Sequence, residues 1–77
     1  DTMQYLICYD ISDDKRLAKV HKILTKDCMP CQKSVFICYD SNTKNRLMQQ
    51  VSNVINIKED DVRCFQITGA VNNTIVI

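Results

Sequence analysis

The stretch with the clearest capacity for chemistry is YLICYDISDDKR, residues 5–16, where an apolar strand ends in Asp10 and passes almost at once into a helix start. A carboxylate at a strand terminus can reach solvent, a metal ion or a phosphate-bearing ligand while its backbone stays pinned in a sheet. The competing reading is that Asp10 caps the turn into the helix. Asp13 and Asp14 follow on the first helical turn, where carboxylates offset the positive end of the helix dipole, so capping is the expected task of Asp13.

Basic residues come next. Lys15, Arg16, Lys19, Lys22 and Lys26 recur on the polar sides of the first helix, and Lys44 and Arg46 open the second. Such a run is ordinarily a solvated face, but aligned along one side of a dimer it forms a phosphate-tracking stripe. Arg16 stands nearest the strand-end Asp10, and its planar fork suits bidentate oxygen recognition. Cys28 and Cys31 form a CxxC, half of a zinc site or a redox pair, with His21 the sole histidine upstream. A full zinc site lacks ligands, and His21 is read as a half-exposed helix residue without a role. Tyr5, Tyr9, Phe36, Tyr39 and Phe65 are read as core or dimer packing, because the Gly- and basic-rich signature of an RNA-recognition sheet is absent from SVFICYD.

The elements that must position these groups follow from periodicity. Residues 4–11 alternate Tyr5, Ile7, Tyr9 and Ile11 on one face with Leu6, Cys8 and Asp10 on the other; both faces are mostly apolar, which predicts a central strand. The period then changes to 3.6, with Leu17, Val20, Ile23 and Leu24 striping a helix over residues 13–25, capped by Ser12 or Asp13. A Pro-bearing segment, 26–33, leads into a strand over 34–39; residues 31–39 form one bent strand or a hairpin turning at Lys33-Ser34. Ser41, Asn42 and Thr43 read as a turn and cap before a second helix that runs to about residue 56. Residues 61–67 form another strand, Gly69 breaks it, Asn72-Asn73 turns, and residues 74–77 make a short extra strand.

The order βαββαβ predicts an α+β, ferredoxin-like sandwich in a single domain over residues 1–77, with both helices on one face of a four-stranded antiparallel sheet. The other face then needs a partner, and a homodimer is the natural route to stability in a 77-residue chain. Residues 74–77 are expected to pair with the sheet edge of the second copy. A composition of 45% hydrophobic and 25% charged residues, with one Gly and one Pro, excludes a disordered chain. The net charge of +1 excludes binding to polyanions by overall charge. No run is long enough to span a membrane and no secretory pattern opens the chain, so it reads as cytoplasmic, with Asp1-Thr2 ahead of Met3 set aside as an added or processed start. Five cysteines, three of them (Cys8, Cys38, Cys64) in apolar runs, read as small hydrophobes without a disulfide scaffold.

Four pieces in order carry a family likeness: the strand ending YDISDD, the helix start Lys15-Arg16, the run Gln32-Lys33-Ser34-Val35-Phe36, and the strand Asp61-Val62-Arg63-Cys64-Phe65. Together, from about residue 5 to 67, they resemble the second CRISPR-associated protein family, the small nuclease-like partner of the CRISPR integrase. The resemblance implies a ferredoxin-like homodimer with metal-dependent endonuclease activity on RNA or double-stranded DNA. It also implies a second role, as a DNA-bridging adaptor of the CRISPR integrase subunit in which the nuclease is dispensable; a toxin-like ribonuclease of the same fold is a third reading.

By position the likeness makes Asp10 the catalytic and metal-associated residue. It places Tyr9, Arg16, Ser34 and Phe36 at the nucleic acid, and the basic stripe of the first helix adds Lys15 and Lys19. The cofactor implied is Mg²⁺, with Mn²⁺ the alternative, and a two-fold axis passing near Asp10 would bring two carboxylates together from one sequence position. For Asp13, the alternative to capping is a place as an outer partner of that site. The segment from Asp27 through Cys31 departs from the family pattern, as does Ile37, where an acidic residue is common, so Ile37 is given no catalytic role. The chain ending at Ile77, directly after the last expected strand, leaves little room for an integrase-binding tail.

Overall fold

In the computed structural model, residues 3–67 are described. Strands β1 (Gln4–Asp10), β2 (Met29–Gln32), β3 (Val35–Cys38) and β4 (Asp61–Ile67) alternate with helices α1 (Asp14–Asp27) and α2 (Ser41–Ser52) in the order βαββαβ. The strands form one sheet in the order β2-β3-β1-β4, and every pairing is antiparallel. This is the ferredoxin-like arrangement, with β1 central as its two apolar faces require. The expected strand over residues 74–77, with the break at Gly69, lies outside the described residues.

The register assigns each side chain to a face. Tyr5 and Ile7 sit opposite Cys38 and Phe36, and Ile7 and Tyr9 opposite Cys64 and Val62. These share the helix side, where Val20 and Leu24 of α1 and Leu47 and Val51 of α2 close over them to make the core. Leu6, Cys8 and Asp10 point the other way. Around Leu6 stand Ile37 and Phe65, and Val35 is opposite Cys8. No helix among the described residues covers this second face; Phe65 is 50% exposed there and Met29, opposite Ile37, 58%.

Local chemistry sets the element ends. Asp13 caps α1, its carboxylate accepting from the Arg16 amide at 3.0 Å. Helix α2 begins earlier than its turn-like opening suggests: Asp40 is the cap, accepting from the Thr43 amide at 3.0 Å and hydroxyl at 3.1 Å. It also ends earlier, at Ser52, while Val54 and Ile55 continue as turns against the core. Of the two readings of residues 31–39, the hairpin is the one formed. Its turn places Ser34 at φ 68°, a left-handed conformation that costs a non-glycine residue on the order of 1 kcal/mol.

The hairpin also corrects the reading of the cysteines. Pairing Met29 with Ile37 sets residue 28 opposite residue 38, and Cys28 and Cys38 are joined as a disulfide between the end of α1 and β3. Cys38 is therefore not a free hydrophobe, and Cys28 pairs with it in place of Cys31. Cys8, Cys31 and Cys64 remain free. Burial pushes the thiols of Cys8 and Cys64 up, which keeps them neutral as small apolar fillers.

Ile7 is fully buried at the centre of the sheet and Ile57 is 84% exposed. Ile7→Val should cost about 0.5–1.5 kcal/mol in urea unfolding, whereas Ile57→Val should stay within about 0.5 kcal/mol of the parent.

Candidate functional site

Asp10 ends β1 on the face that no helix among the described residues covers, and it is exposed. Antiparallel pairing places it directly opposite Asp61, the first residue of β4. Facing residues in such a ladder hold their Cβ atoms roughly 4.5–5.5 Å apart, and two like charges there repel. Arg63 offsets part of the charge, donating from Nε to Asp61 at 2.9 Å, with both side chains largely in solvent. The strand end thus presents two carboxylates from two strands. The sequence reading placed Asp61 at the start of a strand but gave it no part in the site, because its place opposite Asp10 depends on the β1–β4 register.

One residue further along, Asp60 ties the site down. Its side chain is fully shielded from solvent and each oxygen accepts twice. Oδ1 takes the Ser12 amide at 3.0 Å and Arg16 Nη2 at 3.2 Å; Oδ2 takes Arg16 Nε at 2.8 Å and the Asn56 amide at 2.8 Å. Arg16 Nη2 also reaches Glu59 at 3.0 Å, and the Ser12 hydroxyl donates to the Glu59 carbonyl at 2.7 Å. The Arg16 hydrogen bonds hold the Asp60 carboxyl well below the usual carboxylate range, and Asp60 in turn pushes the guanidinium pKa up.

This corrects the reading of Arg16. The fork expected on a phosphate is bound to Asp60 and Glu59, because the loop before β4 folds against the first turn of α1. Asp13 is the helix cap, as expected.

The remaining residues divide between two surfaces. Tyr9 points to the core side, where burial pushes its phenol up, and Phe36 is only 1% exposed, its ring 6.1 Å from that of Tyr9. Phe36 is thus a largely interior ring. Both rings floor a cleft of about 440 Å³ between α1 and the β2–β3 hairpin, with Lys33 and Ser34 in its lining. The Ser34 carbonyl accepts from the Tyr9 amide at 3.1 Å, which joins the hairpin turn to the end of β1.

Lys19 lies elsewhere, in a groove of about 300 Å³ between α1 and α2 with Lys22, Lys26 and Arg46. Arg46 donates to Asp27 at 3.1 Å there. Lys15 is exposed near the start of α1.

His21, given no role by the sequence, lines the aromatic cleft and meets Phe36 edge-on at 5.5 Å. The Thr25 hydroxyl donates to the His21 carbonyl at 2.6 Å and lies 3.3 Å from Nδ1. Among the described residues no group of three or more His, Cys, Asp or Glu side chains is placed to hold a metal ion, and no helix is long and apolar enough to cross a membrane.

Comparison with known proteins points one way. The family model described as CRISPR associated protein Cas2 matches residues 3–75. The chain is 36% identical over 66 residues to a CRISPR-associated endoribonuclease Cas2 of Nitrosomonas europaea, covering 84% of this chain and 63% of that protein. It is 33% identical over 75 residues to one of Thermodesulfovibrio yellowstonii, covering 96% and 79%. Its fold superposes with a TM-score of 0.84 on a hypothetical protein, TT1823, from Thermus thermophilus, at 28% identity, covering 99% of this chain and 94% of that one. Streptococcus pyogenes Cas2 superposes at 0.83 with 21% identity, covering 96% of each chain.

The Asp60 clamp has a pH signature. The folded-state pKa lies below the ordinary aspartate value near 3.8, so the unfolded chain binds more protons in acid. The stability Asp60 lends should be complete above that value and lost as pH falls below it toward the depressed one. Urea midpoints measured between about pH 2 and 6 should fall more steeply for the parent than for Asp60→Asn, with the variant less stable at neutral pH.

Proposed function

Because the chain belongs to the CRISPR-associated Cas2 family, we propose that it is a metal-dependent endonuclease of CRISPR adaptation, acting as a homodimer with Asp10 at its centre. The observation that carries this reading is the exposed strand-end carboxylate of Asp10 with Asp61 opposite it, at the margin of an apolar sheet face without a helix. A second copy seated on that face, against Ile37 and Phe65, brings the two strand ends toward a common axis. Endoribonuclease is the activity in the names of its curated relatives, which supports RNA as the substrate, with double-stranded DNA the alternative. In the adaptation role the dimer joins copies of the CRISPR integrase subunit.

The donor set fits a hard divalent cation. Mg²⁺ or Mn²⁺ binds through one or two carboxylates together with substrate phosphates and water, which Asp10, its symmetry mate and Asp61 can supply. When bound, such an ion activates water and neutralises charge developing on the phosphate. The chain's own part is positional. The β1–β4 ladder holds Asp10, and Asp60 fixes the β1–α1 turn beside it through Ser12 and Arg16. Lys15 and Lys19 on α1 supply positive charge for the phosphate backbone, a contribution that weakens with salt.

Labelled single-stranded RNA and duplex DNA should be incubated with the parent and with Asp10→Asn, each with Mg²⁺ and with chelator, after both are confirmed as dimers by sedimentation. Metal-dependent cleavage that falls by about 100-fold or more in the variant is the expected result. Absence of cleavage by either protein, with duplex binding intact, would leave the non-catalytic adaptor in its place.

A further inference from the structure

The aromatic cleft has no part in the metal chemistry, yet it opens beside it. Tyr9 and Asp10 are successive residues whose side chains leave β1 on opposite faces, so the cleft and the carboxylate flank the same strand end. One wall is the α1 stripe of Asp14, Leu17, Ala18 and His21, at helical spacing; the other is the hairpin, with Pro30 and Lys33. The lining is mostly apolar with a few polar groups, and the volume of about 440 Å³ falls within the range of small-ligand sites.

The chemistry of the walls selects a flat aromatic ring carrying an anion. His21 on the α1 wall and Pro30 on the hairpin wall are both exposed and line the cleft with the rings of Tyr9 and Phe36, surfaces against which a planar ring can pack. The Asp14 carboxylate is an acceptor, which suits the amino and imino N–H groups of a nucleobase, and the His21 ring nitrogens stand in the same wall. Lys33 is the cation for the attached phosphate. A base held in a duplex is stacked and paired, whereas in single-stranded RNA it is free to enter such a slot, and unstacked bases read against aromatic and imidazole rings are the usual mode of RNA recognition.

We propose that the cleft between α1 and the β2–β3 hairpin is a nucleobase pocket that takes one unstacked base of a single-stranded RNA, with Lys33 on its phosphate. This rests on the ribonuclease reading above and deepens it, because a base seated beside Tyr9 places a neighbouring phosphodiester at the Asp10 strand end. The cleavage position is then set by which base the pocket accepts.

The test reads binding without cleavage. Fluorescence anisotropy of a short labelled RNA, in chelator, is measured for the parent strand and for a series with one abasic position moved along it. One abasic position should weaken binding about tenfold, in line with the loss of a stacked base, while its neighbours leave it unchanged. Ala18→Trp, which fills the cleft from the exposed side of α1, should cause the same loss on the intact strand and make that abasic position neutral, with folding checked by thermal melting. Equal binding across the abasic series, or a folded Ala18→Trp that binds as the parent does, overturns the pocket, as does a parent that binds no single-stranded RNA. The abasic series needs no variant and decides even where Ala18→Trp does not fold. Failure of RNA cleavage with the abasic effect intact would remove the nuclease and keep the pocket; the converse would do the reverse.

Discussion

Asp60 organises the end of the molecule at which the candidate chemistry lies. A carboxylate has about four acceptor directions, and here four donors from three segments fill them: Ser12 in the β1–α1 turn, Arg16 in α1 with two contacts, and Asn56 in the α2–β4 loop. A shielded carboxylate without such partners is strongly disfavoured, and removing one partner from such a set costs more than the pair contributes. The two crossover connections are thereby locked to one another. Asp10 is two residues from Ser12 and Asp61 adjoins Asp60, so both strand-end carboxylates inherit their positions from this clamp.

A second constraint is the division of labour between the two faces of β1. Alternation along the strand sends Tyr5, Ile7 and Tyr9 under the helices and Leu6, Cys8 and Asp10 to the side opposite them. The helix side is packed and closes except beside the hairpin, where the cleft opens. The other side is apolar in the middle and acidic at one end, with Phe65 and Met29 left in solvent. An apolar area of this kind in so small a domain calls for a covering surface, and a two-fold copy meets it with like against like. Binding chemistry on one face and carboxylate chemistry on the other then meet at a single strand terminus.

Much of the fold was legible in the residues. The alternation of residues 4–11 and the 3.6 period after Asp13 determined β1, α1 and their faces, and the two helices among strands determined the βαββαβ order, because these patterns are local. Asp10 at a strand end and Asp13 as a helix cap were readable for the same reason. Helix α2 was misplaced at both ends, since Ser41, Asn42 and Thr43 were read as the turn and cap where Asp40 is the cap, and the apolar residues Val54 and Ile55 continue its spacing in a turn.

What the tertiary structure alone decided were the pairings between residues far apart in the chain. The hairpin register put Cys28 beside Cys38, and the β1–β4 register put Asp61 beside Asp10. The packing of the pre-β4 loop on α1 turned Arg16 from a free cation into the partner of Asp60, 44 residues away. His21 lines a cleft only because the hairpin packs near α1. Periodicity reports which face a side chain occupies, because that depends on its own backbone; which group stands opposite depends on strand register and loop closure, and those are properties of the folded chain.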